Sequence, residues 1–81
     1  RYNMKRTKKA SKGKVINRIK EIRPLQTDLT QEGLGQRVGA TRQTIIAIEA
    51  GKYAPSMELA FRIAREFGLP FEDVFGFDPD A

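Results

Sequence analysis

The sequence predicts an all-α domain of five short helices behind a flexible basic N-terminal arm, and three observations carry that prediction. From Val15 to Phe75 the apolar residues recur at three- and four-residue spacings, the period of one helical face. Thr30, Thr41 and Ser56 stand where helices would start, and Gly39, Gly51 and Gly68 where they would stop, which is the chemistry of helix caps. No stretch shows the apolar and polar alternation of a half-buried strand.

The first fourteen residues, RYNMKRTKKASKGK, hold seven Lys or Arg and no acid. They lack apolar periodicity, so ordering them has no burial to offset its entropy. A flexible arm over 1–14 follows, with two readings: a solvated tail, Met4 being a candidate natural start, or a phosphate-seeking extension. Charge is unevenly spread, because the arm carries +7 of a net +5 and the remaining 67 residues carry −2. Residues 15–54 are net +2 and residues 55–81 net −4, so a basic front faces away from an acidic back.

From Val15 the pattern changes. Val15, Ile16, Ile19 and Ile22 predict a first helix, which Pro24 ends because the residue before a proline is biased away from helical angles. After the connection Leu25 to Asp28, Thr30 caps a second helix starting at about Gln31, with Leu29 and Leu34 placed to staple its entry. Leu34 and Val38 share its inner face, and Gly39 supplies the left-handed exit. Thr41 caps a third helix over about Arg42 to Ala50, whose Ile45 and Ile48 face inward until Gly51 stops it. Ser56 caps a fourth, with Glu58 in its first turn and a stripe of Ala60, Ile63, Ala64 and Phe67 before Gly68. Pro70 opens a last helix, Phe71 to Phe75. The acidic end follows, with the domain assigned to 15–77 and a tail to 78–81.

Two helices separated by about three residues, with a glycine in the turn, match the helix-turn-helix signature. With Ile45 and Ile48 inside, Arg42, Gln43, Ile46 and Ala47 fall on the outer face, where such a helix meets base edges in the major groove. The stretch LTQEGLGQRVGATRQTIIAIEAGKYAPSMELAFRIAREFGLPFEDVF resembles the Cro/C1-type, or XRE-like, helix-turn-helix regulators, over roughly residues 15 to 77. The resemblance implies a sequence-specific transcriptional regulator, a repressor dimer on a palindromic double-stranded DNA operator. Gly33 and Gly35 depart from the family, which usually has Glu and Ala there. Each costs a helix about 1 kcal/mol relative to Ala, so the second helix should be the softest.

The candidate base readers are Arg42 and Gln43, because Arg offers a fork to guanine O6 and N7 and Gln pairs with adenine N6 and N7. Ile46 and Ala47 either meet a thymine methyl or pack against protein. Gln31 stands at a helix N-terminus that suits an anion, and the resemblance implies a phosphate contact there rather than a solvated side chain. Thr41 and Thr44 are further phosphate candidates, with capping or packing as their alternative. Lys52 and Tyr53 resemble the family's second phosphate clamp. The resemblance also implies an ion pair between Arg23 and Glu49. Phe71, Val74, Phe75 and Phe77 put more apolar surface into the last segment than one small core is expected to absorb, which suggests a dimer interface.

The chain has no Cys and no His, which excludes disulfides, thiol and imidazole catalysis and the usual zinc sets. Adjacent acids such as Glu72 and Asp73 do not share a helical face, and no nucleophile or glycine-rich phosphate loop accompanies them. No enzyme, cofactor or metal is therefore expected. No apolar run reaches the roughly 20 residues of a membrane span, and no signal peptide is seen, so a soluble cytoplasmic, nucleoid-associated protein is expected. The rival readings are an antitoxin-type protein-binding module with accessory DNA binding and a coactivator-type module that bridges proteins, and Arg42 and Gln43 argue against the second.

Overall fold

The computed structural model describes residues 12–81; the arm up to Ser11 lies outside the described residues. The chain runs β1 (Lys14–Asn17), α1 (Ile19–Gln26), α2 (Gln31–Val38), α3 (Arg42–Glu49), α4 (Met57–Phe67), α5 (Phe71–Val74) and β2 (Phe75–Asp78). Five helices make this an all-α domain extended by one small sheet.

The caps stand where the side-chain chemistry puts them. Thr30 accepts from the Gly33 N–H at 2.9 Å, Thr41 from Thr44 at 3.1 Å and Ser56 from Leu59 at 3.1 Å. Gly39 and Gly68 leave α2 and α4 in the left-handed region, at φ 80° and 69°. Behind these ends lies one core in which Ile19, Leu34, Ile45, Ile48, Ile63 and Val74 are fully buried. Each such side chain contributes about 1.5–3 kcal/mol relative to exposure.

Expectations at both ends of the domain are corrected. Val15 and Ile16 do not open the first helix, and Phe75 does not end the last one. They belong to an antiparallel ladder pairing Lys14 with Asp78, Val15 with Phe77, Ile16 with Gly76 and Asn17 with Phe75. A four-residue strand is too short for its period to be told from a helical one. The β-branched and aromatic pair Val15 and Phe77 favours the pleated surface. A lone two-stranded ribbon is marginal in water, and this one is held because Phe75 enters the core and the Arg18 N–H donates to the Val74 carbonyl at 2.9 Å. Lys14 begins one strand and Asp78 ends the other.

Pro24 does not stop α1, which continues through it to Gln26. A proline here removes a bond to the Lys20 carbonyl. Both residues are exposed, so water can take that bond. The helix ends at Thr27, whose hydroxyl and N–H both donate to the Arg23 carbonyl, at 2.7 and 3.0 Å.

Gly35 lets α2 and the following turn close on each other. A Cβ at this position would lie 2.5 Å from the Ala40 carbonyl oxygen, and the Ala40 N–H donates back to the Gly35 carbonyl at 2.8 Å. The softness that glycine brings to α2 is thus compensated by a tighter turn.

Candidate nucleic-acid interface

Helix α3 is fixed from behind and open in front. Ile45 and Ile48 are fully buried, whereas Arg42 and Gln43 in the first turn are exposed and Ile46 and Ala47 are half-buried. The outer face therefore offers two long polar side chains at its leading end, followed by a short apolar patch. The Thr41 hydroxyl also lies 2.9 Å from that of Thr44, so the capping turn satisfies part of the polar capacity of both threonines.

Glu49 locks the far end of the helix. Its side chain is only 3% exposed and lies 3.0 Å from Arg23 Nε through Oε2. Oε1 accepts from Arg23 Nη2 at 3.4 Å and from Gln31 Nε2 at 3.0 Å. Arg23 also donates through Nη1 to the Leu29 carbonyl at 3.2 Å. One carboxylate thus joins the end of α1, the start of α2 and the end of α3, and the Gln31 side chain is aimed by Glu49 rather than left free in solvent.

Beyond α3, the Gly51 N–H donates to the Ile48 carbonyl and that of Lys52 to the Ala47 carbonyl, each at 2.9 Å. Lys52 and Tyr53 are exposed on this loop. The Ile48 carbonyl accepts a second bond, from Asn17 Nδ2 at 2.8 Å, while Asn17 Oδ1 accepts from the Ile19 N–H at 3.1 Å. Sequence reasoning missed Asn17, which ties the sheet to the end of α3. An Asx cap two residues before Ile19 was the local signal for half of its role; the bond to residue 48 had none.

Ion pairs occupy four of the described arginines. Arg18, Arg37 and Arg62 are paired with Glu21, Glu66 and Glu58, and Arg23 with Glu49. Glu21, through its hydrogen bond and its charge, holds the Arg18 guanidinium above its ordinary pKa. Arg42, Lys14 and Lys52 have no acid within ion-pair distance among the described residues.

The expected dimer residues divide. Val74 is fully buried and Phe75 only 5% exposed, which is a correction, because both side chains are spent on the core of a single chain and only an edge of Phe75 borders a neighbouring groove. Phe71 is partly buried, with its ring centroid 4.8 Å from that of Phe61 and 5.2 Å from that of Phe75. Phe77 is 61% exposed. It stands at the rim of an apolar groove of about 420 Å³ that Val15, Met57, Phe71 and Phe75 also line.

A helix-turn-helix family model matches residues 19–74, from the start of α1 to the end of α5. The chain belongs to the Cro/C1-type helix-turn-helix family. This helix-turn-helix domain is 53% identical over 64 residues to an uncharacterized HTH-type transcriptional regulator of Methanocaldococcus jannaschii, covering 79% of this chain and 96% of that one. An uncharacterized HTH-type transcriptional regulator of Bacillus subtilis is 49% identical over 59 residues, covering 73% and 88%. The cryptic phage CTXphi transcriptional repressor of Vibrio cholerae is 28% identical over 58 residues, covering 72% of this chain and 51% of the phage protein. No helix among the described residues is long and apolar enough to cross a membrane.

Proposed function

We propose that this domain is a sequence-specific transcriptional regulator that binds double-stranded DNA as a homodimer, laying α3 in the major groove and acting as a repressor. The observation that carries the reading is the pairing of an exposed, acid-free Arg42 and its neighbour Gln43 with a helix whose rear is locked by Ile45, Ile48 and Glu49. Side chains on a rigid element discriminate between bases because a wrong base cannot be accommodated by moving the helix. The names of the relatives, transcriptional regulators and a phage repressor, support the regulatory role.

In this reading Gln31, Thr41, Thr44, Lys52 and Tyr53 meet the phosphates on either side of α3, and Ile46 and Ala47 face a thymine methyl. Those contacts set register, while Arg42 and Gln43 set sequence. The basic residues of 1–14 add charge that neutralises phosphate without reading bases. Exposed Val15, Met57, Phe61 and Phe77 around the groove fit a second copy, because a twofold operator requires two helices about 34 Å apart.

Arg42→Ala tests the assignment. It is expected to cost about 1–3 kcal/mol on the preferred duplex and to relax preference at one base position. Competition binding against single-base variants of that duplex reads both quantities. An equal loss on every duplex would leave Arg42 holding phosphate only.

A further inference from the structure

We infer that Lys14 of β1 is a fixed phosphate-binding residue that forms, with Lys52, a two-cation clamp on the DNA backbone astride Gly51. The inference rests on the reading of α3 as the groove-binding helix, and it extends the interface to an element outside the helix-turn-helix.

Lys14 is held beside the exit of α3. Its Nζ lies 3.2 Å from the point that a Cβ on Gly51 would occupy, and its Cε 3.5 Å. Gly51 has φ +74°, so a side chain there would be strained as well as crowded against the lysine. Two ties fix this placement. Lys14 is paired in the ladder with Asp78, and three residues on, Asn17 donates to the Ile48 carbonyl at 2.8 Å. The backbone of the partner residue is fixed too, since Lys52 follows Gly51 directly and its N–H is bonded to the Ala47 carbonyl.

Among the described residues neither ammonium is in an ion pair. Asp78 stands across the ladder from Lys14, yet no acid lies within ion-pair distance of it among the described residues. Glu49 lines the same cleft but is committed to Arg23 and Gln31. The last turn of α3 carries no basic residue of its own, so Lys14 also complements the carbonyl end of that helix. An exposed ammonium needs only one side for that, and its other side is open to an anion. Two lysines beside one glycine, at the end of the helix opposite Arg42 and without an acid in ion-pair distance among the described residues, suit the phosphodiester backbone.

The test compares the full chain with its Lys14→Gln, Lys52→Gln, Lys14→Arg and Lys20→Gln variants, by salt titration on a selected operator duplex and on a random-sequence duplex. Lys14→Gln and Lys52→Gln should each flatten the slope of log K against log salt by about 0.9 per protomer on both duplexes. The preferred sequence should stay the same, and Lys14→Arg and the control Lys20→Gln should keep the parent slope. A parent slope for Lys14→Gln overturns the inference, and a lower melting temperature with that slope intact would assign Lys14 to the end of α3 alone. Because phosphate contacts do not depend on sequence, a parent without sequence preference would remove the base-reading proposal and still leave the Lys14 comparison decisive.

Discussion

Glu49 accepts from two arginine nitrogens and one glutamine amide while almost fully removed from water, so its loss strands charge rather than merely a contact. Removing one partner of a buried pair costs about 3–5 kcal/mol, and in a domain of this size 1 kcal/mol shifts the melting temperature by about 4–8 °C. Glu49→Ala should therefore melt at least about 12 °C below the parent by circular dichroism. A change of only a degree or two would contradict the network. Resemblance made the Arg23 and Glu49 pair legible in the sequence, and outward spacing did the same for Arg42 and Gln43. The tie from Gln31 to Glu49, eighteen residues away, has no local signal, because it depends on how α2 crosses α3. Asn17 and Lys14 were hidden for a related reason: once Val15 is read as helical, neither points at α3.

Among the elements, α2 is where sequence and packing pull in different directions. Both of its glycines cost intrinsic helix stability, but their surroundings differ. A Cβ on Gly33 would meet Thr30 Oγ1 at 3.2 Å, a contact relieved by a small shift, whereas one on Gly35 would press against backbone at 2.5 Å. Gly33→Ala should raise the melting temperature, by about 4–8 °C if the full helix-propensity gain of about 1 kcal/mol is realised. Gly35→Ala should gain less or lose stability, because the Ala40 turn must move. Parallel thermal melts check the order, and a larger gain for Gly35→Ala would contradict the close approach described for it. The helices were legible because caps and 3.6-residue spacing agree across α2, α3 and α4. The strands were not, because four residues give no period and what stabilises β1 is a partner some sixty residues away.

For the whole molecule, the burial of Val74 and Phe75 narrows the dimer question. Substituting Phe75 would unfold the core before it told anything about assembly, whereas Phe77 is exposed and can be changed without that loss. Phe77→Asp should shift sedimentation toward the monomer while keeping the helical circular dichroism. An unchanged dimer would locate the interface away from the groove. The helix-turn-helix signature made DNA binding legible, yet where a second copy could sit depends on which aromatic side chains the core has already consumed, and only packing reveals that. The central claim is that α3, locked from behind, reads base sequence. The most direct measurement is selection of bound duplexes from a random-sequence library, run in parallel with the parent and with Arg42→Ala. The account predicts that the parent enriches a palindromic site with half-sites about one DNA turn apart, and that Arg42→Ala enriches the same site with one position per half-site relaxed. Enrichment of no sequence by the parent, or of an identical and equally sharp site by Arg42→Ala, would contradict it.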